Sequence, residues 1–159
     1  MHEIGTVGRV PVVPPPAYAL TGAVAQHFLA GNGRAGAFRK LAGAVTAAAS
    51  VTLIAGSIQR FRDGGTTVEP FRPEQATALV TSGPNALTRN PMYVGMAGLL
   101  TAHALVRRGW LPALPVAAFV AVIDLTQIRP EEAALRERFG QEYETYLASV
   151  PRWVPGLPG

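Results

Sequence analysis

Residues 83–95 read GPNALTRNPMYVG and lead directly into an apolar run that extends to Val106. A Gly-Pro turn comes first, then Arg89, and then Pro91 at the expected first position of a helix, where proline is favoured because no N–H is needed there. The first turn of a helix leaves backbone N–H groups without partners and carries the positive end of the helix dipole. The stretch therefore predicts a helix start that can hold an anionic group, at the edge of an apolar helix.

The composition around this stretch indicates a membrane protein. Of the 159 residues, 48% are hydrophobic and 15% are charged, whereas a soluble domain usually carries about 25% charged residues. The net charge is +4, and every basic residue except Lys40 is an arginine. We assign this excess to loops that flank membrane spans, and not to nucleic-acid binding. The chain has no Cys and three widely separated His, so the sequence indicates neither thiolate chemistry nor a metal site.

Four apolar segments predict an all-α membrane protein with four transmembrane helices in a single domain, residues 1–159. The segments cover residues 14–30, 41–58, 91–106 and 111–128. Two of them have 18 residues, close to the ~20 needed to cross a bilayer. The alternative is that the third and fourth segments are two buried helices of a soluble protein. Asp124 lies inside the fourth segment, where an acid is costly and by default a functional candidate. The alternatives are that it reaches the interface, four residues away at Ile128, or that it pairs with an arginine.

The distribution of basic residues predicts the orientation in the membrane. Four spans place both termini on one side, together with nine of the 14 basic residues. The other five belong to the opposite loops: Arg34, Arg39, Lys40, Arg107 and Arg108. The positive-inside rule therefore places both termini and the long middle loop, residues 59–90, in the cytoplasm of a multi-pass cell-membrane protein.

Beyond residue 128 the chain becomes polar and predicts an amphipathic cytoplasmic helix. Glu131 and Glu132 fall in its first turn, where the helix dipole favours acidic side chains. Gly140 lies inside this helix and is expected to kink it, and Trp153 beyond it is typical of a membrane interface. An apolar stripe follows the helix at spacings of three and four residues. It consists of Leu135, Phe139, Tyr143, Tyr146 and Leu147.

Several short motifs, taken in their order along the chain, resemble one family of membrane enzymes. The motifs are residues 83–95, the pair Glu131-Glu132, residues 139–146 and residues 150–153. Their order and spacing are similar to those of the isoprenylcysteine carboxyl methyltransferase and phospholipid methyltransferase family. The resemblance implies a small multi-helix membrane enzyme that uses S-adenosylmethionine at the cytoplasmic face, with residues 66–155 as the cofactor-binding part.

In that family, an Arg-His-Pro-x-Tyr-x-Gly motif and a downstream Glu-Glu pair form the cofactor pocket. The resemblance therefore implies cofactor-binding roles for Asn90, Tyr93, Gly95, Glu131 and Glu132. The chain departs from the family at Asn90, where the best-known members have His. Asn still donates and accepts hydrogen bonds, but it cannot transfer a proton. The catalytic residues stay unidentified, and the candidates are Arg89 and Arg152.

These residue types also suit the cofactor chemically, and each has a structural alternative. A Glu can accept from the cofactor's ammonium or ribose hydroxyls, and Tyr93 can pack on adenine or face the sulfonium. Methyl transfer depends mainly on proximity and orientation, so it needs no acid–base set. The alternatives are that both Glu only stabilise a helix start, that Tyr93 only anchors the helix at the interface, and that Gly95 only allows close helix packing.

The expected methyl acceptor is a lipophilic or amphipathic molecule that enters from the bilayer. Its nucleophile is a carboxylate, a thiol or an amine, and the sequence does not choose among them. Abundant Ala, Gly and Arg suggest a bacterial genome, which favours a lipid over a prenylated protein as acceptor. Two alternatives remain at this point: a membrane NADPH-dependent sterol-type reductase with a similar motif, and a non-catalytic membrane scaffold of the same fold. The oligomeric state is open.

Overall fold

The computed structural model describes residues 13–33, 35–63 and 78–156. This part of the chain is helical and contains no β-strand, which confirms the all-α prediction for the described residues. The helices are α1 (Pro15–Leu29), α2 (Ala37–Asp63), α3 (Pro91–Val106), α4 (Leu114–Ile123), α5 (Arg129–Phe139) and α6 (Gln141–Ser149). Short 3₁₀ turns cover Gly83–Ala86 and Leu111–Ala113, and a π-helical turn, Asp124–Ile128, joins α4 to α5 without a break.

Two helices are long and apolar enough to cross a membrane. One is α2, with 27 residues, and the other is the continuous helix Leu111–Phe139, with 29 residues. The apolar part of the second helix ends at Ile128, where the charged α5 begins. Helix α3 is apolar but has 16 residues, which cover about 24 Å of a hydrocarbon core that is ~30 Å thick. Membrane spans at α1 and α3 therefore stay a prediction.

The helix bounds differ from the sequence prediction at two places. Helix α2 extends beyond residues 41–58 at both ends and includes Arg39 and Arg60, whose long side chains can reach the interface from an apolar helix. The predicted single C-terminal helix is two helices, because Gly140 adopts φ +51° between α5 and α6. Positive φ carries little penalty for glycine, so the expected kink is a complete break.

Helices α2 and α3 pack closely because α3 has glycines at their contact. A Cβ added to Gly95 would lie 2.9 Å from the Ser50 carbonyl oxygen and would also collide with Ile54. Gly98 faces the same Ser50. Helix α1 packs against α3 and α4 on another side of the molecule. Large apolar side chains on α1 and α2 remain exposed, as a lipid-facing surface requires; they include Leu20, Phe28, Phe38 and Val45.

The loops gather at two opposite ends of the helices. At one end, the Gly31 N–H donates to the Arg108 carbonyl at 2.8 Å, and Arg39 Nε donates to the Leu105 carbonyl at 2.8 Å. Residues 78–90, the π-helical turn, α5 and α6 belong to the other end. The described members of the two predicted groups of basic residues therefore lie at opposite ends. Three members of these groups, Arg9, Arg34 and Arg72, fall outside the described residues.

The apolar stripe of the C-terminal helices is confirmed as one packed cluster. Tyr143, Tyr146 and Val150 are buried in it, and the other stripe residues and Leu79 pack against them. The Tyr146 hydroxyl donates to the Asn85 carbonyl at 2.6 Å. The cluster thus holds α5 and α6 against the segment that precedes α3, where the sequence placed the functional motif.

Candidate functional site

The first element of the site is a contact between the start of α3 and the start of α5. The Tyr93 hydroxyl donates to Glu131 Oε1 at 2.6 Å, across 38 positions of the sequence. The Tyr93 ring belongs to the main buried cluster of the protein, and Glu131 is half-buried. Because the donor is a neutral hydroxyl, this contact leaves the negative charge of Glu131 uncompensated.

The adjacent acid, Glu132, has a different environment. Arg89 Nη2 donates to Glu132 Oε1 at 2.9 Å. Arg152 binds both carboxylate oxygens, with Nε 3.0 Å from Oε1 and Nη2 2.8 Å from Oε2. Only 4% of the Glu132 side chain is exposed. Two guanidinium groups therefore neutralise a buried carboxylate. Through them, Glu132 connects the loop before α3 to the C-terminal segment.

Several hydrogen bonds fasten residues 88–90 to residues 147–152. Arg89 Nη1 donates to the Val150 carbonyl at 2.6 Å, and its backbone N–H donates to the Pro151 carbonyl at 2.9 Å. Asn90 Nδ2 and Thr88 Oγ1 both donate to the Arg152 carbonyl at 3.0 Å. Asn90 therefore holds the C-terminal segment and does not cap α3 with its side chain. The contact of Thr88 has no signature in the sequence, since a single threonine does not indicate a partner 64 residues away.

The second acidic centre of the site is Asp124, which pairs with two arginines. Arg129 Nε lies 3.0 Å from Asp124 Oδ2, and Arg152 Nη1 lies 3.3 Å from Oδ1. The Trp153 indole N–H also donates to Oδ1 at 3.3 Å. The expectation of an arginine partner for Asp124 is confirmed. The Trp153 ring is buried in the main cluster and held by Asp124, so it has a structural role; its level relative to the membrane stays a prediction.

Glu131 and Glu132 lie beyond the apolar part of their helix, and their pKa values move in opposite directions. Burial raises the pKa of Glu131 to about 7; the Tyr93 hydrogen bond opposes the rise and the charge on Glu132 adds to it. Burial would also raise the pKa of Glu132, but hydrogen bonds from Arg152 and Arg89 hold it below its ordinary value. Near neutral pH, Glu132 is therefore charged, while Glu131 is poised between its two forms.

Among the described residues, three buried side-chain atoms have no hydrogen-bond partner: Ser57 Oγ, Asn85 Oδ1 and Arg89 Nε. Two of these atoms belong to the segment just before α3, and they comprise one acceptor and one donor. A buried polar group without a partner is destabilising. These atoms therefore indicate a place where a polar ligand would be accommodated.

The structure brings four of the five predicted cofactor residues into one neighbourhood at the start of α3 and α5. Arg152 links Asn90, through its carbonyl, to Glu132, through its guanidinium. Tyr93 bonds to Glu131, the sequence neighbour of Glu132. Gly95 lies one turn further along α3, against α2. Helix packing alone accounts for a glycine there, and cofactor binding by Gly95 stays a prediction. Both catalytic candidates, Arg89 and Arg152, are engaged in ion pairs with Glu132.

A second polar cluster, centred on Gln26, lies at the opposite end of the helices. Gln26 is fully buried; its amide donates to the carbonyls of Leu100 and Pro112 at 2.9 and 2.8 Å. Its Oε1 lies 2.7 Å from His103 Nδ1, and Arg107 binds the other ring nitrogen of His103. These contacts join α1, α3 and the turn before α4. The cluster therefore positions helices and stands apart from the site around Glu131 and Glu132.

An open cleft of about 900 Å³ lies between α3 and α4 and ends at the second acidic centre. Its walls are apolar and include Val94, Ala97, Val116 and Val120. Its polar end is formed by Asp124, Arg129, Arg152 and Trp153. Because Arg152 also binds Glu132, the cleft and the site share a side chain.

Comparison with known proteins identifies the family. A family model described as phospholipid methyltransferase matches residues 38–142, which cover the helices from α2 to α5 together with Tyr93, Glu131 and Glu132. An uncharacterized protein of Haemophilus influenzae is 38% identical over 63 residues, which make up 40% of this chain and 100% of that protein. No solved structure matches. The chain belongs to the phospholipid methyltransferase family.

Proposed function

We propose that the protein is an S-adenosylmethionine-dependent membrane methyltransferase that acts on a lipophilic acceptor. Membership of a methyltransferase family supports the reaction class. The observation that carries the proposal is the Tyr93–Glu131 contact beside the clamped Glu132. It leaves one half-buried acid with uncompensated charge next to a rigid, ion-paired partner.

The described residues fit the proposed cofactor. Glu131 offers a carboxylate to the cofactor's ammonium or ribose hydroxyls, and burial strengthens such charge-assisted bonds. Asn85 Oδ1 and Arg89 Nε, both without partners, offer an acceptor and a donor on the adjoining segment. The start of α3 offers backbone N–H groups to a carboxylate, since Asn90 does not cap them. When bound, S-adenosylmethionine supplies a methyl group that is already activated for displacement.

The other residues have supporting roles in this proposal. Arg89 and Arg152 bind Glu132 and carry hydrogen bonds between the segment before α3 and the C-terminal segment. Their guanidinium groups stay charged at physiological pH and cannot act as general bases. We therefore assign them to positioning, and we attribute catalysis to orientation of the acceptor in a site that already has its geometry.

We propose that the acceptor reaches the site laterally from the bilayer and carries a carboxylate, thiol or amine nucleophile. The apolar walls of the α3–α4 cleft, open at its side and ending beside Arg152, support this route. Both termini would then lie in the cytoplasm with the site, as the distribution of arginines predicts.

Calorimetric titration of the detergent-purified protein with S-adenosylmethionine and, separately, with NADPH tests the proposal. We expect micromolar binding of S-adenosylmethionine and no heat with NADPH. Binding of NADPH alone would favour the sterol-type reductase instead. Binding of neither ligand by folded protein would favour a non-catalytic scaffold, and a circular dichroism spectrum with full helical content establishes folding in that case.

A further inference from the structure

The cleft between α3 and α4 has the size and the distribution of polar residues expected of a binding site for one amphiphilic molecule. Its volume of about 900 Å³ is within the range of ligand pockets, which is ~300–1,000 Å³. Valine and alanine side chains line its length, and the polar residues are confined to one end, which begins at Asp124. Thr101 also lines the walls, but its hydroxyl donates a hydrogen bond to the Ala97 carbonyl of its own helix. The walls therefore present apolar surface, and the polar end presents charge.

The ion pairs at the polar end leave an excess of positive charge. The ion-paired network contains Arg89, Arg129 and Arg152 against Asp124 and Glu132, three positive and two negative groups, hence a balance of +1. Glu131 makes no ion pair with the described residues, and its ionised form offsets this balance beside Glu132. Glu131 is not in the cleft lining, where Arg129 and Arg152 face Asp124, so the positive excess is local to the cleft. Arg136 and Glu144 extend the network by one charge of each sign and leave the balance unchanged. A buried or half-buried excess charge is stabilised by an opposite charge on a ligand.

The excess positive charge is most accessible on Arg129. Its side chain is 59% exposed, against 17% for Arg152. A guanidinium has five N–H donors, and Arg129 uses its Nε on Asp124. The π-helical turn makes this contact possible: residues five apart stack on such a turn, and the Arg129 N–H bonds the Asp124 carbonyl. Asp124 therefore holds Arg129 at the mouth of the cleft, directly after the apolar part of the helix.

A second cavity offers a comparison within the same molecule. It has a volume of about 380 Å³ and lies between α1 and α4. Its lining includes Tyr18, Leu29 and Phe119 and contains no charged side chain among the described residues. The acyl chains of ordinary membrane lipids can fill such an apolar cavity, so it indicates no specific ligand. The α3–α4 cleft differs because charge at one end can distinguish between headgroups.

We propose that the α3–α4 cleft binds a phospholipid with a net negative headgroup, and that Arg129 selects this headgroup over a zwitterionic one. The acyl chain lies along α3 and α4, and the headgroup lies against Arg129 at the level of Ile128. That the bound lipid is also the methyl acceptor rests on the proposed function; its binding in the cleft does not.

The two tryptophans of the chain allow a direct test. Trp153 lines the cleft, whereas Trp110 is 71% exposed at the opposite end. In a Trp110→Phe protein, Trp153 is the only indole. Bromine atoms on the chain carbons next to the headgroup quench an indole near the polar end of the cleft, where Trp153 lies. The protein is reconstituted in dioleoyl phosphatidylcholine vesicles with increasing fractions of brominated phosphatidylglycerol or brominated phosphatidylcholine. We expect brominated phosphatidylglycerol to quench Trp153 at about fivefold lower mole fraction, since one arginine near an anionic lipid contributes roughly 1 kcal/mol.

Two charge-neutralising variants in the same background assign the preference to a residue. Arg129→Gln should abolish the difference between the two lipids. Arg138→Gln removes a charge from the same helix outside the cleft lining and should leave the difference unchanged. Equal quenching by both lipids in the Trp110→Phe protein would overturn the proposal, as would a preference that survives Arg129→Gln. Absence of quenching by either lipid would also overturn it, because a protein surface, such as a second copy of the chain, would then cover the cleft.

The test separates this inference from the proposed function. Headgroup preference without binding of S-adenosylmethionine would retain the lipid site and reject the methyltransferase. Calorimetric binding of S-adenosylmethionine without headgroup preference would do the reverse.

Discussion

Glu131 and Glu132 are neighbours in the sequence, but they have different hydrogen-bond partners and therefore different expected roles. Glu131 receives a hydrogen bond from the neutral Tyr93 hydroxyl, while Glu132 is held by the guanidinium groups of Arg89 and Arg152. The sequence alone could not separate them, because the partners of Glu132 lie 43 residues before it and 20 residues after it. Their contacts predict that one acid serves the ligand and the other serves the structure.

Substitution of each acid by glutamine should therefore give different results. Glu131→Gln should weaken S-adenosylmethionine binding about tenfold or more, as loss of a charge-assisted hydrogen bond does, with an unchanged melting temperature. Glu132→Gln should lower the free energy of unfolding by about 3–5 kcal/mol, because it leaves buried guanidinium groups without a counter-charge. Calorimetry and thermal melting in detergent measure the two effects. Normal affinity in Glu131→Gln, with lost affinity in a folded Glu132→Gln, would reverse the assignment.

The same pair predicts how cofactor binding depends on pH. With a pKa of about 7, Glu131 is largely protonated at pH 6 and largely ionised at pH 8. Only the ionised form holds an ammonium group, so the dissociation constant for S-adenosylmethionine should rise as the pH falls through 7, approaching tenfold per unit. Titrations between pH 5.5 and about 7.5 measure the slope. Glu131→Gln serves as control and should have a flat profile; an equal slope in that variant would assign the proton to another group.

At the scale of the helices, the α2–α3 contact decides whether Gly95 has a structural role. Gly95→Ala places a methyl group against the Ser50 carbonyl and Ile54, and overpacking of this kind costs about 1–3 kcal/mol. We expect a lower melting temperature without any ligand present. Gly36→Ala is the control, since a Cβ there meets nothing within 4 Å. An unchanged melting temperature in Gly95→Ala, together with weaker cofactor binding, would instead place Gly95 in the cofactor site.

Helix starts, apolar stretches and a kink at Gly140 could be predicted, while the π-helical turn and the complete break at Gly140 could not. Pro91 and the apolar run after it fix α3 at residues 91–106, as the sequence indicates. The π-helical turn brings Asp124 against Arg129, and Asp124 also bonds to Trp153, which lies 29 residues further along the chain. The break at Gly140 depends on a positive φ that the sequence permits but does not require.

At the scale of the whole molecule, the two ends of the helices predict two sides of a membrane. Because the chain has no Cys, single cysteines can report the side without background labelling. Trp110→Cys probes the α3–α4 turn, and Ala148→Cys probes α6; both positions are exposed. In intact cells, a membrane-impermeant maleimide should modify only Trp110→Cys, and Ala148→Cys should react after permeabilisation. The opposite pattern, or equal labelling of both in intact cells, would contradict the predicted orientation.

The sequence motifs predicted which residues lie close together, but not which contacts each of them makes. Asn90, Tyr93, Glu131 and Glu132 come together as the family resemblance implies. The sequence did not predict that Asn90 would bond to the Arg152 carbonyl or that Trp153 would be buried against Asp124. Both contacts depend on the return of residues 150–153 to the start of α3, which no local pattern encodes.

The most direct test of the account is transfer of a labelled methyl group. Membranes that contain the wild-type protein are incubated with S-adenosylmethionine labelled in its methyl group, and radioactivity in the organic extract is counted, with Glu131→Gln membranes as the matched control. With the labelled cofactor kept well below the dissociation constant of the wild-type protein, we predict label in the lipid extract with the wild-type protein and about tenfold less label with Glu131→Gln. Background label with a wild-type protein that binds S-adenosylmethionine would contradict the account for lipid acceptors, and equal label with both proteins would contradict the role of Glu131.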